Sequence, residues 1–274
     1  MKISVIIPVL NQPDMCHAVI EQLYKTIDKD VEVIVIDNGS EFPFIEPKAT
    51  VIRFGKSIGV YPVFAEGFKY ASGDIVAFLH SDLVIWETNW YKRVIAEFEK
   101  DDNLGMIGFI GSSQLDQAGG RGNGTVSNMM GLSLEENRKK WVGSKAEVHG
   151  GRSTVFSPAV VVDGAAMIIR RETWEDIGYR DNYIFHHFYD KIISCQMLEK
   201  GWKIGTLGIG CDHFSGQTVN QEKAYLEAAM EWCVKNKIAP VDAPVNWDRT
   251  IYLDSEIKFL KEFRDKKHIL PITI

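Results

Sequence analysis

The chain has 274 residues, 45% of them hydrophobic and 25% charged, a composition of one large soluble globular domain or two small ones. A net charge of −6 argues against nucleic acid as the main partner. No apolar stretch reaches the ~18 residues needed to span a bilayer, and Cys16, Cys195, Cys211 and Cys233 form no C-x-x-C pair, so neither a zinc site nor a disulfide framework is expected.

Residues 2–8 read as a strand, and the chain opens directly on it with no signal peptide pattern. With four scattered thiols this predicts a reducing, cytoplasmic setting, or the cytosolic face of a membrane. A helix follows, with Asn11 as its cap, Pro13 in the first turn and Met15, Val19, Leu23 and Ile27 along one face. Residues 31–36 form a second strand, stopped by the turn signal Asp37-Asn38-Gly39-Ser40. Further strands are predicted over 50–54, 75–79 and 106–110, and helices over 61–71 and 86–100, the last with Trp90, Val94, Ile95 and Phe98 inward. Such alternation predicts a mainly parallel sheet with helices on both faces.

The pattern changes over 111–157, rich in Gly, Ser, Asn and charge, where a loop of this length reads as functional or as a plain surface insertion. Strand character returns at 160–169, helices are predicted over 172–177 and 190–200, and a strand over 202–209 leads to Cys211-Asp212-His213. Two more helices are predicted over 221–237 and 254–267. The second combines Ile257, Leu260 and Phe263 with Lys258, Lys261, Arg264, Lys266 and Lys267, which suits a packing or homodimer helix and, less well, a peripheral membrane contact.

Candidate chemistry gathers where strands end. His80-Ser81-Asp82 follows the apolar run Ile75-Val76-Ala77-Phe78-Leu79, at the edge where open α/β sheets bind ligands. At spacing i, i+2 the imidazole and the carboxylate point to the same side of an extended chain, although a polar strand end before a turn looks the same. Asp37 ends the second strand on that edge, near Pro8 and Asn11, as an acceptor for a base or ribose or as a turn former. Asp163, before Gly164, is a turn former or a ligand for sugar hydroxyls, and the glycine permits a close backbone approach. The aromatic cluster Phe185, His186, His187, Phe188 and Tyr189 is either a sugar-shaped surface or core.

Five segments in this order carry a resemblance. They are Ser4-Val5-Ile6-Ile7-Pro8-Val9-Leu10-Asn11 with Glu32-Val33-Ile34-Val35-Ile36-Asp37-Asn38-Gly39-Ser40; Ala71-Ser72-Gly73-Asp74 through Phe78-Leu79-His80-Ser81-Asp82; Asp163-Gly164-Ala165 with Trp174-Glu175-Asp176-Ile177-Gly178; Asp190 through Gly201-Trp202; and His213-Phe214-Ser215-Gly216. Together they resemble glycosyltransferase family 2, the inverting GT-A enzymes, over roughly residues 2–216. The resemblance implies a Rossmann-like, mostly parallel sheet flanked by helices. A GT-A domain would span 1–216, with a nucleotide-binding half over 1–110 and an acceptor-side half over 111–216, and a helical C-terminal extension would span 217–274.

It further implies a nucleoside diphosphate sugar donor, uridine-linked, and a hydroxyl acceptor on a glycan, glycolipid or protein. Asp37 would contact the base, Pro8 and Asn11 would line its pocket, and His80, Ser81, Asp82, Asp163 and Gly164 would complete the donor site. Asp82 holds the metal-binding position of the family's D-x-D, and His213 resembles its late metal-binding histidine. The imidazole favours Mn²⁺ over Mg²⁺. Asp190 falls on the general-base position, with Asp181 and Asp176 as fallback carboxylates. Four positions depart from the pattern: His80 replaces an aspartate and is itself a candidate metal ligand, Tyr189 replaces the acid before the base, and Ile192 and Gln196 replace an aspartate and an arginine. These departures keep a rival open, a non-catalytic nucleotide-sugar or carbohydrate-binding protein. A sugar-phosphate nucleotidyltransferase fits less well, because Pro8-Val9-Leu10-Asn11-Gln12-Pro13 offers no Gly-rich triphosphate loop.

Overall fold

The computed structural model describes residues 1–112, 155–178 and 189–214, and the backbone of 125–127 and 129–131. The first half alternates strand and helix: β1 (Ile3–Val9), α1 (Pro13–Leu23), β2 (Glu32–Asp37), β3 (Thr50–Arg53), α2 (Val60–Tyr70), β4 (Ile75–Leu79), β5 (Leu83–Ile85), α3 (Trp90–Lys100), β6 (Leu104–Gly108) and β7 (Ile110–Ser112). Then come β8 (Thr125–Ser127), β9 (Met129–Gly131), β10 (Ser157–Ala159), β11 (Val161–Val162), β12 (Ala166–Arg170), α4 (Arg171–Ile177), α5 (Tyr189–Glu199), β13 (Lys203–Thr206) and β14 (Ile209–His213).

Eight strands form one sheet in the order β10-β13-β6-β12-β4-β1-β2-β3. The pairs β1–β2, β2–β3, β1–β4 and β6–β13 are parallel. Two strands oppose the rest: β12, wedged between β4 and β6, and β10 at the edge. The central strands are apolar on both sides because both faces are covered. Ile6, Ile34, Ile36, Val76 and Phe78 point to a cluster with residues of α2, α4 and α5. Their alternates Val5, Ile7, Val33, Val35, Ile75, Ala77 and Leu79 point to a second cluster with α1 and α3.

Several boundaries differ from the sequence expectation for local reasons. Asn11 is not a helix cap: its backbone is left-handed (φ 53°), and its side-chain oxygen accepts the Glu41 amide at 2.8 Å. Gln12 precedes the helix instead, with Pro13 at the first position. The third helix begins at Trp90, not 86, because 83–85 is taken by β5 and Asn89 is left-handed (φ 59°). The expected strand at 106–110 splits in two, with β6 in the large sheet and β7 in a small one beside β11 and β8. Most of the 111–157 segment, the helices expected at 221–237 and 254–267, Cys233, and the aromatic residues 185–188 lie outside the described residues. Among the described residues no helix is long and apolar enough to cross a membrane.

Candidate metal and donor site

The site begins where β4 ends. Backbone pairing of Ala166 with Leu79 continues one step further, as the His80 amide donates to the Ala165 carbonyl at 3.0 Å. The chain then turns into β5, which pairs antiparallel with β14 in a register that sets His213 opposite Leu83. The Phe214 amide closes the corner by donating to the Asp82 carbonyl at 3.0 Å. This pairing brings a side chain from the end of the described chain beside the tripeptide. Asp82 Oδ1 lies 3.3 Å from His213 Nε2 and 3.7 Å from His80 Nδ1, and the two imidazole centroids are 5.6 Å apart.

His80, Asp82 and His213 each offer one ligand atom, and these atoms all lie within 4.8 Å of one another. A divalent cation fits this set. Asp82 Oδ1 is buried and meets no hydrogen-bond donor in good geometry, so a charged acceptor faces two imidazole nitrogens. Burial pushes the Asp82 carboxyl up, but the imidazoles of His213 and His80 outweigh it and hold it at about 2. Burial pulls His80 down, with Asp82 opposing and His213 adding to the shift, so His80 is neutral at physiological pH, the form that ligates metals.

Helix α5 forms the opposite wall. Its first residue, Tyr189, is buried, and its Oη lies 2.5 Å from His80 Nε2. Burial, followed by the charges of Asp190, Asp163 and Asp82, raises the phenol well above its usual range, so it stays protonated. The ring packs edge-on against Phe64 and directly over Gly164, where a Cβ would sit 2.1 Å from Oη. The space left by that missing Cβ is therefore filled by Tyr189. Asp163 is partly buried and accepts the Ala165 amide through Oδ1 at 2.9 Å, the turn-forming contact, while its charge reaches His80 and Tyr189. Asp190 is partly exposed in the first turn of α5, beside Tyr189. Ile192 and Gln196 face the core instead: Ile192 is 1% exposed, and Gln196 Oε1 accepts from the Tyr61 hydroxyl at 3.3 Å. Of the fallback carboxylates, Asp176 is bound to Lys200 and Trp202 at the far end of α5, and Asp181 lies outside the described residues.

A second group of residues shapes the edge next to β1 and β2. Asp37 is fully buried; Oδ1 accepts the Ser40 amide at 2.8 Å, and Oδ2 accepts the Phe44 amide at 3.1 Å and Arg53 Nη1 at 2.7 Å. Burial raises the carboxyl, but the amides of Phe44 and Ser40 and the guanidinium outweigh it and leave it below the ordinary range. Asn38 Oδ1 accepts the Ile58 amide at 2.9 Å and its Nδ2 donates to Ser57 Oγ at 3.2 Å, which ties down the loop after β3. Asn11 is exposed and donates its amide to Ser40 Oγ at 3.0 Å, while Pro8 and Ser81 are partly exposed. The sequence reading gives Arg53 no role, and places Tyr189 in the aromatic cluster and at the position of an absent acid without linking it to His80. Register would have pointed to Arg53, which stands opposite Asp37 on the neighbouring parallel strand.

The family described as Glycosyl transferase family 2 matches residues 4–177. The O-antigen biosynthesis protein RfbC of Myxococcus xanthus is 22% identical over 193 residues, covering 65% of this chain and 14% of its own length. An uncharacterized glycosyltransferase of Nostoc sp. is 28% identical over 116 residues, covering 39% of this chain and 36% of its own. The chain thus spans well under half the length of these curated relatives. Among solved structures, GalNAc-T7 with UDP, GalNAc and Mn²⁺ superposes with a TM-score of 0.62 at 15% identity, covering 98% of this chain and 56% of the other. The mannosyltransferase PcManGT of Pyrobaculum calidifontis, in complex with GDP-Man and Mn²⁺, does so with a TM-score of 0.55 at 11% identity, covering 96% and 73%. These likenesses establish the GT-A fold.

Proposed function

The chain belongs to glycosyl transferase family 2, and on that premise we propose that it is an inverting, metal-dependent transferase. It moves a sugar from a nucleoside diphosphate sugar, uridine-linked, to a hydroxyl of a glycan, glycolipid or protein. The observation that carries this reading is the convergence of His80, Asp82 and His213 at the end of β4, with Asp190 on the helix behind it. Structural neighbours that hold Mn²⁺ with UDP or GDP-Man support both the metal and the donor class.

Asp82, His213 and His80 would hold the ion, and their mixed oxygen and nitrogen set favours Mn²⁺ over Mg²⁺. Such an ion neutralises a diphosphate and the charge that grows on it as it leaves. Pro8, Asn11 and Asp37 border the nucleoside pocket; the Asp37 carboxylate, fully buried and bonded within the fold to Ser40, Phe44 and Arg53, shapes that pocket through the turn it holds. Asp163 and Ser81 face the donor sugar and phosphates. Asp190 is the general base. It takes the proton of the acceptor hydroxyl as that oxygen attacks the anomeric carbon and the bond to the diphosphate breaks on the opposite face.

A donor panel with Mn²⁺ and with chelator, read by thermal shift and nucleotide release, tests this reading. Asp82→Ala is expected to abolish metal-dependent donor binding. Asp190→Asn is expected to keep donor binding and to lower transfer by at least 100-fold, the scale of a lost general base. Wild-type transfer rates in the Asp190 variant would remove the base assignment. Tight donor binding with no turnover on any acceptor would favour the binding-protein alternative.

A further inference from the structure

Two departures from the family pattern touch each other. His80 stands where a carboxylate is usual, and Tyr189, 109 residues later, stands where another acid is usual. Their side chains meet at 2.5 Å, Nε2 to Oη. The contact is held from both sides. Tyr189 is 6% exposed, and it is wedged over the bare Cα of Gly164 and against Phe64. His80 is anchored by its amide to Ala165, and its other ring nitrogen faces Asp82.

We propose that Tyr189 is a positioning residue for the metal centre, fixing the His80 ring so that Nδ1 faces the cation and the site selects Mn²⁺ over Mg²⁺. When His80 ligates through Nδ1, its proton resides on Nε2 and is donated to Tyr189 Oη, the usual way a second partner orients a metal-bound imidazole. The exchange also changes the charge of the site. Carboxylates at positions 80 and 189 would surround the cation with up to three negative groups, whereas His80, Tyr189 and Asp82 provide one. Mg²⁺ demands oxygen ligands and loses most when that charge is removed, while Mn²⁺ accepts imidazole nitrogen. The paired substitution thus trades hard oxygen donors for nitrogen without leaving an unpaired polar group: the phenol takes the place next to the imidazole that a second carboxylate would otherwise contest. This inference rests on the metal-dependent reading above, and its test separates the two.

The test is direct titration of the nucleotide-free protein with Mn²⁺, read by the electron paramagnetic resonance signal of the free ion, and with Mg²⁺ by competition. The wild type is expected to bind Mn²⁺ at least ten-fold more tightly than Mg²⁺; equal affinities overturn the proposal whatever the variants do. Tyr189→Phe is expected to weaken Mn²⁺ binding about ten-fold, the low end for a lost orienting partner, with little change for Mg²⁺. In a His80→Ala background the same substitution is expected to have no effect, because the phenol acts only through the imidazole. His80→Asp is expected to narrow the Mn²⁺ to Mg²⁺ ratio. Unchanged Mn²⁺ affinity in a Tyr189→Phe protein that melts like the wild type overturns the positioning role and leaves the metal reading standing. A wild type that binds neither ion, with Asp82→Ala no different, overturns both.

Discussion

Exchanging the Asp37 carboxylate for an amide leaves one oxygen for three donors, the amides of Ser40 and Phe44 and the guanidinium of Arg53. Arg53 is 36% exposed and stays solvated, so most of the cost falls on the amides. Asp37→Asn is expected to lose about 1–3 kcal/mol of stability, the scale for buried groups left unsatisfied. The carboxyl lies below its ordinary value in the folded protein, so its contribution is complete above the unfolded value and is lost as pH falls through the folded one. The stability gap between wild type and Asp37→Asn in urea melts should therefore be flat from neutral pH to about 5 and close below about 4. A gap that stays constant into the acid range would show that the charge itself contributes nothing. Asp37 was visible in the sequence because it ends an apolar run. Arg53 was not, because its role depends on the register of β2 with β3, which no local pattern encodes. Tyr189 was legible as part of an aromatic cluster and as a missing acid, but its contact with His80 across the fold has no local sign.

At the scale of elements, the turn after β2 is a tight backbone joint on the binding edge. Gly39 has φ +82°, and a Cβ there would lie 2.3 Å from the Lys56 backbone. Gly55, on the same loop, would meet nothing within 4 Å. Gly39→Ala is expected to cost about 1–3 kcal/mol of backbone strain and to weaken nucleotide binding, because it displaces the loop that Asn38 ties down at Ile58 and Ser57. Gly55→Ala should change stability by no more than about 0.5 kcal/mol. Equal melting temperatures for the two variants would contradict this account. The elements themselves were largely legible, since continuous apolar runs with helical stretches between them signal a sheet covered on both faces. Direction was not: β12 is as buried as β4 and apolar up to its last residue, yet it runs against both neighbours. Nor did spacing show that Asn11 would turn left-handed to hold Glu41 in place of capping α1.

Across the whole molecule, protection should follow position in the sheet. β1, β4 and β12 have partners on both sides and bury their side chains almost completely, whereas β3 is an edge strand with no fully buried side chain. Hydrogen exchange is expected to be slowest in the three central strands and fastest in β3. Uniform protection across the sheet would mean that it opens only as one unit. The architecture was readable from the order of its segments, but the small sheet of β5, β14 and β9 was not, because it joins strands remote in sequence. That sheet also gives the protein a built-in order of completion. A ribosome makes His80 and Asp82 while more than half of the chain is still to come, and the second imidazole arrives only with the last residue of β14. On the proposed reading, a chain ended before β14 carries His80 and Asp82 and still lacks the full ligand set. On the proposed metal reading, the ligand set is complete only once synthesis has passed residue 213 and β14 has paired with β5.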